Sequence, residues 1–179
     1  MAHLTIDFFS NCLRRTVQFQ MIIPGDFCNT WQIEQKRKGK RMKTLFLLHG
    51  YTGAAENWVP DNLSTLYNFA IVMPSGENGF WVDGPATGHQ YGAFIGEELP
   101  DYIRKTFGLA MNPEETYIMG LSMGGFGALH TALQYPETFG KVAALSSALI
   151  IHEIAHMQPG GSNEAVSYTH LTLPTNREV

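Results

Sequence analysis

The chain has 179 residues, 12 basic against 16 acidic side chains, a formal charge of −4 and 44% hydrophobic residues. That length builds one domain with a sizeable core, and the apolar fraction excludes wholesale disorder. The charge leaves no footprint for nucleic acid, no apolar run suits a membrane span, and Cys12 and Cys28 alone make neither a disulfide framework nor a multi-cysteine zinc site.

The opening Met1-Ala2-His3-Leu4-Thr5-Ile6-Asp7 lacks the basic and apolar blocks of a signal peptide, so a cytoplasmic location is expected. The first element expected is a strand over residues 16–23. There Val17, Phe19, Met21 and Ile23 alternate with Gln18, Gln20 and Ile22, giving one buried face, and Pro24-Gly25 end it. The basic cluster Lys36-Arg37-Lys38-Gly39-Lys40-Arg41 is expected in a solvated hairpin turn.

Residues 44–48 form a continuous apolar run closed by His49-Gly50, and residues 70–73, 116–119 and 142–145 repeat the pattern. Such runs suit strands buried on both faces of a parallel sheet. Between them, Phe94, Ile95, Leu99, Tyr102, Ile103 and Phe107 fall at three- and four-residue steps, which predicts a helix over 94–107. A second helix over 123–135 carries Phe126, Leu129, Ala132 and Leu133 on one side, and Pro136 stops it. Strands alternating with helices predict an α/β fold with a mainly parallel sheet.

After one more apolar segment, residues 148–157, the pattern breaks. From Val166 the sequence resembles a translated sequencing adapter. Residues 1–165 are therefore expected to be the N-terminal portion of one α/β domain, and 166–179 an artefactual tail.

The sharpest chemical signal is Gly120-Leu121-Ser122-Met123-Gly124-Gly125, a G-x-S-x-G string with a strand pattern before it and a helix pattern after it. On so tight a turn, side chains two residues either side of the serine would strike neighbouring backbone, and Gly120 and Gly124 relieve that. The serine hydroxyl then stands at a helix N-terminus, where a developing oxyanion meets N–H groups and a favourable dipole. Ser122 is thus the candidate nucleophile. The candidate oxyanion donors are the backbone N–H groups of Met123 and of Tyr51, the latter in His49-Gly50-Tyr51-Thr52-Gly53 after an earlier strand. His49 is expected to shape that loop.

With Leu47-Leu48 before that loop, Glu97-Glu98-Leu99-Pro100-Asp101-Tyr102-Ile103 and Phe126-Gly127-Ala128-Leu129 after the serine motif, the chain resembles the esterase D family of α/β-hydrolases over residues 1–165. The opening Phe8-Phe9-Ser10 and Leu13-Arg14-Arg15-Thr16-Val17 is most similar to the tributyrin-esterase branch. The resemblance implies a three-layer α/β/α sandwich, incomplete at its C-terminus. It also implies a serine carboxylesterase with no cofactor or metal and with a Ser–Asp–His triad.

The chain departs from that pattern downstream. No Asp follows Ser122; His130 sits two turns along the nucleophile helix, and His152 and His156 follow the very next strand. The triad acid and base are expected to be absent from this chain, and the chain as written to be inactive.

His152-Glu153-Ile154-Ala155-His156 matches H-E-x-x-H, which makes a zinc metalloprotease the rival reading. Pro159 and Ser162 stand where the extended zinc motif needs glycine and histidine. Trp58, Trp81 and Tyr91 are candidates either for an acyl or alcohol pocket or for the core, and Cys12 and Cys28 read as buried small apolar groups. The expected substrates are short-chain acyl esters of tributyrin, acetyl or feruloyl type. A thioester such as S-formylglutathione comes second, and a non-catalytic binding module on the same scaffold third. The expected partner is a small-molecule ester, with no nucleic acid and no membrane, and a homo-oligomer stays open.

Overall fold

The computed structural model describes residues 1–25, 39–60 and 62–149. Six strands form one sheet: β1 Ala2–Ser10, β2 Arg15–Ile23, β3 Lys43–Leu48, β4 Phe69–Pro74, β5 Thr116–Leu121 and β6 Lys141–Leu145. Their order across the sheet is β1-β2-β4-β3-β5-β6. The first two join as an antiparallel hairpin that also meets β4 antiparallel, whereas β4, β3, β5 and β6 run parallel.

The helices are α1 Leu63–Tyr67, α2 Tyr91–Ala93, α3 Leu99–Phe107 and α4 Met123–Gln134. A π-helical turn, Phe94–Glu98, joins α2 to α3. All six apolar positions expected on the 94–107 face pack in one cluster with Phe19, Phe46, Val72 and Ile118. Pro100 stands in the first turn of α3, and Gly108 closes it in the left-handed conformation at φ 65°.

The alternation of the central strands explains their continuous apolar sequence. Phe46, Leu48, Val72 and Ile118 point to the face covered by α3 and α4. Leu45, Leu47, Ile71, Met73, Tyr117 and Met119 point to the other, with Leu63 of α1. Helices therefore cover both faces, the α/β/α arrangement of an α/β-hydrolase.

Three expectations need correction, and one strand was not anticipated. Strand β1 has no counterpart in the sequence reading, although Leu4, Ile6 and Phe8 alternate with exposed His3, Thr5, Asp7 and Phe9. Ile22, expected outward on β2, is fully buried, because the end of that strand enters the sheet beside β4 and its second face is covered. On α4 Phe126 is buried and Ala132 packs against the core as expected, but Leu133 is 75% exposed, and Gly124, Gly127, Ala128 and Thr131 are buried in its place. Small residues win there because the helix lies against backbone and the Trp81 ring. Strand β6 reads as doubly buried, yet Val142 and Leu145 are 43% and 40% exposed, since among the described residues β6 pairs with β5 alone.

The Glu98 carboxylate fastens the β1–β2 hairpin to the π-helical turn. It accepts from the Ser10 hydroxyl and from the Asn11 and Cys12 amides at 2.5, 2.6 and 3.3 Å. Cys12 is only partly buried, and burial together with this carboxylate pushes its thiol up to about 11. Gly39 lies in a turn at φ 71° with Lys40 and Arg41 exposed, as a solvated turn requires. Residues 36–38, Cys28, the 152–156 motif and the 166–179 tail lie outside the described residues. No helix of the described residues is long and apolar enough to cross a membrane.

Candidate active site

Strands β3 and β5 are parallel neighbours with Leu48 opposite Gly120. Their carboxyl ends therefore deliver the 49–53 loop and Ser122 side by side. Ser122 takes φ 56° and ψ −115° immediately before α4. For a residue with a β-carbon this is a strained conformation, of the kind that persists only where the surroundings fix it.

Here they do. The Ser122 amide donates to Leu145 at 2.9 Å, and its carbonyl accepts from the Phe126 and Ala148 amides at 3.0 and 3.1 Å. A β-carbon on Gly120 would lie 1.9 Å from the Gly124 carbonyl oxygen, and one on Gly124 would lie 2.3 Å from that of Leu48. Both distances are impossible for real atoms, so the two glycines flanking the serine are a steric requirement of the turn. Gly50 brings the facing loop close to the serine: a β-carbon there would sit 3.5 Å from the Ser122 β-carbon.

That loop is held from beneath. The His49 side chain is buried, and burial pushes its imidazole pKa down. Its Nε2 accepts from the Gly76 amide at 3.0 Å, so the proton of the neutral ring stands on Nδ1, which contacts the Gly50 carbonyl at 2.7 Å. The same carbonyl accepts from the Gly53 amide at 3.0 Å. A peptide unit is planar and trans, so fixing the Gly50 carbonyl also fixes the Tyr51 N–H, which points the opposite way. The Met123 N–H lies in the first turn of α4, where amides have no intrahelical partner. His49 thus shapes the loop, as its place in the sequence suggests.

The other singled-out residues separate. Trp81 is fully buried and Tyr91 nearly so, both in the core. The Tyr91 hydroxyl donates to Glu77 at 2.8 Å. Trp58 packs partly buried against the second-face cluster. The Tyr51 ring is exposed, 6.3 Å from that of Phe80 between centroids. His130 is exposed, stacked on Phe126 at 5.8 Å. The sequence reading missed Gly76 and Asn78, which with Trp81 reach the 49–53 loop from the segment after β4; their one signal is the turn-forming Gly76-Glu77-Asn78-Gly79 string.

Residues 10–165 match the model of the family described as "Putative esterase". The chain belongs to that family, an esterase D-like branch of the α/β-hydrolases. It is 38% identical to an acetyl esterase of Caldicellulosiruptor saccharolyticus over 174 residues, which are 95% of this chain and 65% of that protein. Its fold is similar to that of fluorophosphonate-binding serine hydrolase F of Staphylococcus aureus, with a TM-score of 0.73, 24% identity and coverage of 92% of this chain and 64% of that one. It is also similar to S-formylglutathione hydrolase of Staphylococcus aureus, with a TM-score of 0.69, 24% identity and coverage of 93% and 65%. The chain thus spans just under two thirds of the length of these relatives.

Proposed function

We propose that the protein is a serine carboxylesterase acting on small-molecule, short-chain acyl esters, acetyl esters foremost, through an acyl-enzyme on Ser122. The observation that carries this reading is the strained φ of 56° at Ser122, fixed between two glycines that admit no side chain and opposite Gly50. The 38% identity to an acetyl esterase supports the choice of acyl group.

In this reading the Ser122 Oγ attacks the ester carbonyl while a general base takes its proton. The carbonyl oxygen becomes an oxyanion that accepts from the Tyr51 and Met123 N–H groups. Collapse expels the alcohol, which takes up the proton, and water then releases the acid from the serine. Two preorganised donors suit this step because they need no rearrangement as charge develops, and one such donor is worth about 2.7–4 kcal/mol in the transition state. The base and its orienting acid are assigned to sequence outside the described residues, since His130 is exposed along α4 and no Asp follows Ser122.

A fluorophosphonate probe tests the nucleophile. The full-length gene product should be labelled and should hydrolyse p-nitrophenyl acetate, and Ser122→Ala should do neither. Equal labelling of both proteins would end the reading. Assaying S-formylglutathione beside the acetyl ester separates a thioesterase from a carboxylesterase.

A further inference from the structure

We infer that Asn78 is a positioning residue for the oxyanion-binding turn, holding the Tyr51–Thr52 peptide through the Thr52 amide; this rests on the hydrolase reading above. Thr52 has φ 64°, a left-handed conformation that a β-branched residue resists. The turn it belongs to is closed by the Gly53 amide on the Gly50 carbonyl. Left alone, such a turn would relax, and the Tyr51 N–H would swing with it.

Three hydrogen bonds from the segment after β4 prevent this. Two of them act on His49, from the Gly76 amide to Nε2 and from the Trp81 indole to the carbonyl, at 3.0 and 3.3 Å. Both grip the near side of the turn. The third, from the Thr52 amide to Asn78 Oδ1 at 2.9 Å, grips the far side. Tyr51 lies between the two grips: its peptide to Gly50 is held through the Gly50 carbonyl, which the anchored His49 Nδ1 and the Gly53 amide both contact, and its peptide to Thr52 is held by Asn78.

Asn78 is itself delivered by a rigid support. Glu77, Phe80 and Trp81 are all left-handed, at φ 49°, 52° and 59°, a concentration that an unsupported loop would not keep. The Glu77 carboxylate is held by the Tyr91 hydroxyl and by an ion pair with Arg15, whose guanidinium also donates to the Tyr91 oxygen at 3.2 Å. The Gly79 amide closes on the Gly76 carbonyl at 3.1 Å, and Trp81 is fully buried. Asn78 thus projects from between a pinned Glu77 and a buried Trp81. Its own side chain is exposed, so replacing it leaves the core intact.

The test compares Asn78→Ala and Asn78→Asp in the full-length gene product. In Asn78→Ala the Thr52 and Gly53 amides should exchange with solvent about tenfold faster, roughly the worth of one hydrogen bond. In the same variant kcat for p-nitrophenyl acetate should fall about tenfold with KM little changed, because the donor matters only once the oxyanion forms. Asn78→Asp keeps an acceptor oxygen and should restore the slow exchange. Unchanged exchange in Asn78→Ala, unchanged kcat, or Asn78→Asp exchanging as fast as Asn78→Ala would each overturn the assignment. A wild-type protein without Ser122-dependent turnover refutes the hydrolase reading instead, and the exchange measurement still decides whether Asn78 holds the turn.

Discussion

The indole N–H of Trp81 donates to the main-chain carbonyl of His49 at 3.3 Å, and the two rings meet edge to face with centroids 5.1 Å apart. A fully buried tryptophan thereby satisfies a carbonyl just past the end of β3 and supports the imidazole that holds the 49–53 turn. β-Carbons on Gly76 and Gly127 would fall 2.7 and 2.5 Å from the same side chain, so the loop after β4 and helix α4 both close on it. Trp81→Phe removes the donor and leaves a void. It should cost about 1–3 kcal/mol for the orphaned carbonyl, with a further loss for the cavity. Urea unfolding reads this directly, and a variant within about 0.5 kcal/mol of wild type would contradict it.

Gly124→Ala should be among the most damaging single-methyl changes in the chain. Its new carbon would meet the Leu48 and His49 carbonyl oxygens at 2.3 and 2.5 Å, both backbone atoms that cannot swing aside. Overpacking of this kind costs on the order of 1–3 kcal/mol or more. Helix α4 must withdraw from β3, carrying Ser122 with it. Loss of fluorophosphonate labelling together with a lower unfolding midpoint is the expected pair of results.

His49 should remain neutral, with its proton on Nδ1, at a pH where an ordinary histidine is half charged. Burial lowers its pKa, and a second proton would displace the Gly76 amide from Nε2. The unfolded chain takes up a proton near pH 6.5 and the native one only at lower pH. The stability that His49 contributes is therefore complete above that range and is lost as pH falls toward its lowered native value. Imidazole nitrogen NMR shifts at pH 6 decide the point; a doubly protonated ring would contradict it.

Glu98 gives a second, separable acid sensitivity. Burial alone would raise its pKa, but the Ser10 hydroxyl and the Asn11 and Cys12 amides bring it below the usual carboxylate range. A carboxylate depressed in the native state stabilises above about pH 4.3, its unfolded value, and that stability is lost as pH falls through the native one. Glu98→Gln should be less stable than wild type near pH 7 and should show a shallower decline below pH 5. Parallel stability curves for the two proteins would show that the carboxylate charge is not what holds the hairpin.

The 179-residue chain by itself should hydrolyse p-nitrophenyl acetate far more slowly than the acetyl esterase it resembles, of which it spans 65%. The motive is local: the exposed β6 strand offers no base to Ser122, and His130 is stacked on Phe126. Side-by-side assays with Ser122→Ala controls measure it, and equal Ser122-dependent rates would place a working base within these residues.

Sequence alone determined whatever depends on local pattern. Continuous apolar runs marked β3, β4 and β5, because strands covered on both faces need apolar side chains at every position. The glycines around Ser122 marked the turn, because backbone at van der Waals contact excludes any β-carbon. What tertiary structure decided lies between segments distant in the chain. The small-residue face of α4 follows from the Trp81 ring that packs on it, which helical periodicity read from large apolar residues cannot anticipate. Strand β1 is an edge element stabilised by pairing with β2, and its mixed composition carried too little contrast to stand out. The grip of Asn78 on Thr52 joins residues twenty-six positions apart through a side chain and a backbone amide. No spacing rule encodes such a contact, since it exists only once β3 and β4 lie side by side and bring their carboxyl-end loops together.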